Sequence, residues 1–307
     1  MERRTLGSLS VSVVGLGCNN FGRRIGLEET RAVVDAALES GVSFFDTADI
    51  YGDGESERLL GEVLRGRRDQ VVLATKFGYR GDDSQDSDGS AANVRRAIDA
   101  SLERLRTDRV ELYQYHKPDG RTPIEETLGA LDELVRAGKV REIGCSNFSA
   151  EQLREAERVS EENGFARFVS VQNHYSLLER GIEAEVLPEA ERLGVAVIPY
   201  FPLASGQLTG KYRRGEPAPE GTRLAHYGGE VDDATFDKLE ALERFAAERG
   251  LEPVHVAIGG LAAQPAVASV IAGATKPEQV GANARAGDWK PSAGDLAELD
   301  GIFPPGR

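Results

Sequence analysis

Two cysteines, Cys18 and Cys145, are too few for a disulfide framework or a cysteine-rich metal cluster. Their scarcity fits a reducing compartment, so a cytoplasmic location is expected. Histidine is also sparse, and His174, His226 and His255 do not have the spacing of metal ligands. The chain has no run of about 18 apolar residues, which excludes a membrane-spanning helix. The N-terminal "MERRTLGSLSVSVVG" is basic but lacks the apolar stretch of a secretory signal, so none is expected. Basic residues are outnumbered: 37 Lys and Arg against 51 Asp and Glu give a net charge of −14. Such a surface opposes nucleic acid and anionic membranes, and neither is expected as a partner. A local basic spot can still hold a small anion such as a phosphorylated cofactor. The sequence carries no low-complexity segment and no mark of oligomeric state.

What is present is an alternation of strands and helices. Short apolar, β-branched runs occur at 13–17, 42–47, 71–76, 110–116, 140–146, 168–173, 195–200 and 267–273. Amphipathic stretches separate them. "LEETRAVVDAALESG" sets Val33, Val34, Ala37 and Leu38 on one face and ends at Gly41. The stretch from Ser90 to Arg106 repeats Val94, Ile98, Leu102 and Leu105. In "TPIEETLGALDELVRAG", Thr122 is the expected N-cap, Pro123 the first helical residue and Gly138 the stop.

Eight strand–helix units with continuous apolar strands imply a parallel sheet covered on both faces. A closed (β/α)8 TIM barrel satisfies this, as one domain over residues 1–307. The competing open doubly wound sheet would need G-x-G-x-x-G at the first turn, and "GLGCNNFG" lacks the third glycine. Residues 3–12 read as an N-terminal β-hairpin and 292–303 as a final helix. Two long polar segments, 78–90 and 202–230, read as loops at the C-terminal face, where long loops are usually functional. The helix expected at 253–263 contains Gly259 and Gly260, which together cost roughly 2 kcal/mol of helix propensity.

Chemistry in such a barrel lies at the C-terminal strand ends. Asp46 ends the second strand, Lys76 the third and His116 the fourth, and Tyr51 follows Asp46 on the next turn. A lysine ammonium beside a tyrosine favours the phenolate and is expected to lower its pKa. An aspartate keeps the lysine charged and aimed, and a histidine adds a hydrogen bond to the bound oxygen. The set suits protonation of a carbonyl oxygen as hydride reaches the carbon. Taken singly, an Asp, Lys or His at a strand end more often caps a helix or joins a surface ion pair. Four matched residues on three consecutive strand ends argue for a site. Asp49 reads as a turn carboxylate, and Cys18 and Cys145 as small packing residues.

With these residues in view, the sequence resembles the aldo-keto reductase family. The segments that carry the likeness are "FFDTADIYGDGESERLLG", "VVLATKFG", "DRVELYQYHKPD", "IGCSNFS", "VQNHYSLLER", "PYFPLASGQLTGKY" and "VIAGATKPEQVGANARA", in order from about residue 3 to 287. The resemblance implies an NAD(P)H-dependent oxidoreductase that reduces an aldehyde or ketone to an alcohol. Its tetrad would be Asp46, Tyr51, Lys76 and His116, with Tyr51 the general acid. It implies NADPH as the usual cofactor, with NADH possible, and a small carbonyl compound as substrate. Ser146, Asn147 and Gln172 match positions that hold the nicotinamide carboxamide, and Tyr200 the aromatic that stacks on the ring. Leu203, Ser205, Gly206 and Lys211 match the pyrophosphate loop, and Arg223 a basic residue of the long loop. Gly273, Thr275, Lys276, Gln279 and Asn283 match the segment around the adenosine phosphate. Cys18, Asn19 and Asp46, at the first two strand ends, complete the implied cofactor contacts. The sequence departs from the family where Phe201 replaces a common serine, Ala272 a proline and Ala282 a glutamate.

Two other functions fit parts of the pattern. A cofactor-binding regulatory or partner-docking subunit would keep the same motifs and turn over slowly. A metal-dependent barrel hydrolase could use Asp46 and His116, but no His-x-His follows the first strand. Phe21, Ile50, Tyr79 and His226 are expected pocket walls; the substrate itself is not legible.

Overall fold

In the computed structural model, residues 1–80, 87–222, 224–225 and 231–306 are described. Part of the 78–90 loop, and both Arg223 and His226, therefore lie outside the described residues. An antiparallel hairpin comes first, β1 (Arg3–Leu6) and β2 (Leu9–Ser12), turning at Gly7 with φ 58°. Eight parallel strands follow: β3 (Val14–Gly17), β4 (Phe44–Asp46), β5 (Val72–Phe77), β6 (Val110–Tyr115), β7 (Val140–Ser146), β8 (Phe168–Gln172), β9 (Ala196–Val197) and β10 (Val270–Gly273). From β3 to β8 each pairs with the next in sequence, and β10 pairs with β3. Closure comes at β9, where Val197 N–H donates to Ala266 O at 2.7 Å and Ala268 N–H to Val197 O at 3.0 Å. The sheet is thus the expected (β/α)8 barrel.

Its helices are α1 (Leu27–Glu39), α2 (Glu55–Val63), α3 (Ala91–Leu105), α4 (Ile124–Arg136), α5 (Ala150–Asn163), α6 (Val186–Leu193), α7 (Asp233–Glu248), α8 (Pro253–Ala262), α9 (Pro277–Ala286) and α10 (Ala293–Ile302). The expected faces are buried, Val33, Val34 and Ala37 on α1 with Leu38 half-buried beside them, and Val94, Ile98, Leu102 and Leu105 on α3. One cap differs from expectation. Pro123 is the N-cap of α4, and Thr122 instead donates its hydroxyl to Asp119 at 2.6 Å. The Asp119 carboxylate also accepts from the backbone of Gly89, Arg121 and Thr122, and so gathers the loop that precedes α4. The first glycine of the α8 pair also finds its reason. A Cβ on Gly259 would lie 2.8 Å from the Trp289 ring, so the bare backbone lets that indole seat against the helix.

Strand periodicity sorts the barrel into an outer and an inner set. Phe45, Leu73, Tyr113, Ile143 and Val171 face the helices in the main core. Phe44, Ala74, Leu112, Ile198 and Ile271 face inward, where Leu6, Leu9 and Val11 of the hairpin pack against them at the N-terminal end. Two residues further along β4, β5 and β6, and at the end of β8, the inward layer reaches the other end. There it presents Asp46, Lys76, Gln114 and Gln172, all buried. Above Gln114 the column of β6 continues to His116. The interior is therefore apolar below and polar above, and the polar layer is the floor of the mouth. Among the described residues, no helix is long and apolar enough to cross a membrane.

Candidate active site

The turn between β4 and α2 is built to hold one side chain. Thr47 and Asp49 N–H donate to Ala74 O and Lys76 O of β5, at 2.9 and 3.3 Å. Gly52, Asp53 and Gly54 are all left-handed, at φ 59°, 55° and 84°, and swing the chain into α2. Ser56 Oγ lies 2.8 Å from Thr47 Oγ1 and donates to Cys18 O at 2.9 Å. The first turn of α2 is anchored by Glu57, fully buried, which accepts from Thr75 Oγ1 at 2.5 Å and from Arg104 Nε at 2.7 Å. Tyr51 hangs from this turn over the barrel mouth.

Lys76 is completely enclosed and spends its three N–H groups on three acceptors. These are Asp46 Oδ2 at 2.6 Å, Thr47 O at 2.9 Å and Tyr51 Oη at 3.2 Å. Burial works against the ammonium, but the Asp46 and Tyr51 oxygens outweigh it and hold Lys76 above its ordinary range. Tyr51 corrects the sequence expectation of a lowered pKa. Burial pushes the phenol up, the Lys76 charge and hydrogen bond pull it down, and the balance stays above the ordinary value. Lysine thus offsets part of a desolvation penalty that the sequence could not show, and the phenol keeps its proton at neutral pH.

His116 completes the set. Its ring lies 6.0 Å from that of Tyr51, edge to face at 85°, and 5.3 Å from that of Tyr79. Burial and then the Lys76 charge hold it well below the ordinary histidine range, so the imidazole is neutral. Its Nδ1 is buried without a hydrogen-bond partner. All four sequence-nominated residues therefore meet at one mouth.

A second group lies beside them. Ser146 Oγ donates to Gln172 O at 2.7 Å, and Asn147 Nδ2 to Ser146 Oγ at 3.1 Å and His116 O at 3.0 Å. Tyr200 Oη donates to Asn147 Oδ1 at 2.8 Å, and the Tyr200 ring stacks on His174 at 5.4 Å. Next comes a strained stretch: Phe201, Ala204 and Ser205 have φ of 53°, 45° and 59°, and Gly206 has 92°. Non-glycine residues held in this region cluster at ligand clamps. A Cβ on Gly206 would lie 2.5 Å from Lys211 Nζ, so the lysine reaches back over the loop that includes Leu203. Burial and the nearby Arg24 charge hold Lys211 below its ordinary range.

Gly17 and Gly273 pair across β3 and β10, and a Cβ on Gly273 would lie 3.1 Å from Asn20 Nδ2 and 3.4 Å from Asn19 Oδ1. Thr275 N–H donates to Gln279 Oε1 at 2.8 Å beside the N-cap Lys276 of α9, while Asn283 is buried on that helix. Among the cofactor candidates Cys18 is fully enclosed in the core, and its main chain is bonded within the protein, donating to Asp46 O and accepting from Phe21 N–H and Ser56 Oγ. Phe21, expected as a wall, is likewise fully buried.

Sequence reasoning passed over Gln114 and Asn20. For Gln114 a signal existed: in "VELYQYH" the period of two puts Leu112, Gln114 and His116 on one face. Among the described residues, no three His, Cys, Asp or Glu side chains group to hold a metal ion.

A sequence profile of the Aldo/keto reductase family matches residues 13–303. The chain belongs to that family. It is similar to the uncharacterized oxidoreductase YrpG of Bacillus subtilis (strain 168), at 37% identity over 99% of this chain and 96% of the relative. It is 34% identical to a probable voltage-gated potassium channel subunit beta of Oryza sativa subsp. japonica, over 95% of this chain and 92% of the relative. It is also 34% identical to the aldo-keto reductase YhdN of Bacillus subtilis (strain 168), over 96% of this chain and 91% of that protein. Family membership makes the chain an oxidoreductase, and the family's small carbonyl substrates suit a mouth floored by buried polar groups.

Proposed function

We propose that the protein is an NAD(P)H-dependent reductase of aldehydes or ketones, with Tyr51 as general acid. The observation that carries this reading is the Lys76 ammonium, bonded at once to Asp46 at 2.6 Å and to the Tyr51 hydroxyl at 3.2 Å. A phenol still protonated at neutral pH can give its proton to a carbonyl oxygen as negative charge develops there. Lys76, already aimed at that phenol, stabilises the oxygen left behind. Asp46 fixes the amine, and neutral His116 donates a second hydrogen bond to the substrate oxygen.

The second group of residues suits a nicotinamide dinucleotide. A carboxylate only accepts, so the amide nitrogen of Gln172 must face Asp46, at 2.9 Å. The Gln172 carbonyl is left for a carboxamide donor, with Ser146 and Asn147 beside it and the Tyr200 ring alongside. The left-handed loop at 204–206 and the cation of Lys211 suit a pyrophosphate; Thr275, Lys276, Gln279 and Asn283 suit the adenosine end. When bound, the reduced nicotinamide supplies the hydride. NADPH is the assigned cofactor, with NADH as the alternative. The buried free thiols of Cys18 and Cys145 favour a reducing, cytoplasmic setting.

The test is NAD(P)H oxidation against a panel of aldehydes, ketones, quinones and sugars. Tyr51→Phe should keep cofactor affinity and lose nearly all turnover; wild-type turnover by this variant refutes the assignment. A second reading rests on the rice relative's name: a cofactor-binding subunit that docks on a partner and turns over slowly. It predicts NADPH binding with negligible reduction across the whole panel.

A further inference from the structure

Gln114 sits in the polar layer beneath the mouth, on β6 directly across from Lys76 on β5, and is fully buried. Barrel interiors are mostly filled by branched aliphatic side chains, and a buried amide is costly unless it is bonded. This one is bonded on both sides. Its Nε2 donates to Asp46 Oδ1 at 3.0 Å, and its Oε1 accepts from Gln172 Nε2 at 3.3 Å. Gln172 Nε2 donates to the same Asp46 oxygen at 2.9 Å. Asp46 on β4, Gln114 on β6 and Gln172 on β8 thus form a closed triangle from alternate strands, with Lys76 on the other carboxylate oxygen.

The neighbourhood leaves room for this triangle. On β7, beside Gln114, stands Gly144, where a Cβ would lie 3.3 Å from Gln114 Cγ and 2.3 Å from Ser170 Oγ. A larger residue there would push the amide out of line.

We propose that Gln114 is a positioning residue for the reduction. It holds one oxygen of Asp46 so that the other stays on Lys76; Gln172 keeps its own bond to Asp46, so the direction of its amide does not depend on Gln114. The role rests on the reductase reading and acts through Asp46, without contact to substrate.

Gln114→Met keeps the volume and removes both hydrogen bonds, and Gln114→Leu is a second apolar filling. The readouts are kcat, KM for a carbonyl substrate, NADPH affinity by fluorescence titration, and Tm. Loss of a hydrogen bond to a charged group should lower kcat by about tenfold. KM and NADPH affinity should stay within roughly threefold, and Tm should change little, because Asp46 Oδ1 keeps its bond from Gln172 and the apolar side chain fills the same volume. In an Asp46→Asn background, Gln114→Met should cause no further loss of kcat.

Several results overturn the proposal: kcat within about twofold of wild type, a fall in kcat matched by falls in Tm and cofactor affinity, or failure of both variants to fold. Wild-type protein that binds NADPH but reduces no carbonyl overturns the reductase reading itself. The two failures are distinguishable, since in the first the wild type turns over.

Discussion

Replacing Asp49 with asparagine removes a buried titration from the turn that carries Tyr51. Asp49 Oδ1 is enclosed with no hydrogen-bond partner, and buried Glu57 is close enough for its charge to be felt. Burial, and then that like charge, push the Asp49 carboxyl up to about 7 from an ordinary 3.8. The folded state therefore holds a proton that the unfolded chain releases near pH 4. Stability from this group is complete below pH 4, falls as the pH rises toward 7, and is level above that. At 1.36 kcal/mol per pH unit, and discounted for partial exposure, the fall is about 2–4 kcal/mol. An asparagine mimics the neutral carboxyl and does not titrate. Urea unfolding of wild type and Asp49→Asn, followed by the fluorescence of Trp289, reads the difference at pH 5 and at pH 8.5. The variant should gain roughly 2 kcal/mol on the wild type between the two. An equal difference at both pH values would refute the argument, because the carboxyl would then not be titrating in that window.

Two further predictions follow from packing. Arg104→Met leaves the carboxylate of Glu57 buried without its cation, and should destabilise the protein by about 3–5 kcal/mol in urea unfolding; a loss below about 1 kcal/mol would mean that Glu57 is otherwise satisfied. Gly259→Ala improves helix propensity but drives a methyl into Trp289, so Tm should fall, by about 1–3 kcal/mol in stability, rather than rise.

The eightfold alternation, the hairpin, and Asp46, Lys76 and His116 at strand ends with Tyr51 on the turn after Asp46 were legible in the sequence. Each is a local signal: a period of two or 3.6, a cap, or a polar residue closing an apolar run. Thr122 shows where local reading stops, because its hydroxyl was taken by Asp119 from within the loop. The pKa of Tyr51 is a stronger case. Its neighbour Lys76 was foreseen, but the direction depends on how much water the packed mouth removes, and that is a sum over residues distant in the chain. Asp49 was read as an ordinary turn carboxylate because nothing beside it in sequence indicates enclosure near Glu57. Gln114 went unremarked within the strand at 110–116, and its bonds to Asp46 and Gln172 exist only because β4, β6 and β8 are brought around one axis. Periodicity along the chain determines which face a residue occupies; only the closed barrel decides what that face meets, since charge and desolvation act through space across gaps such as the 126 residues between Asp46 and Gln172.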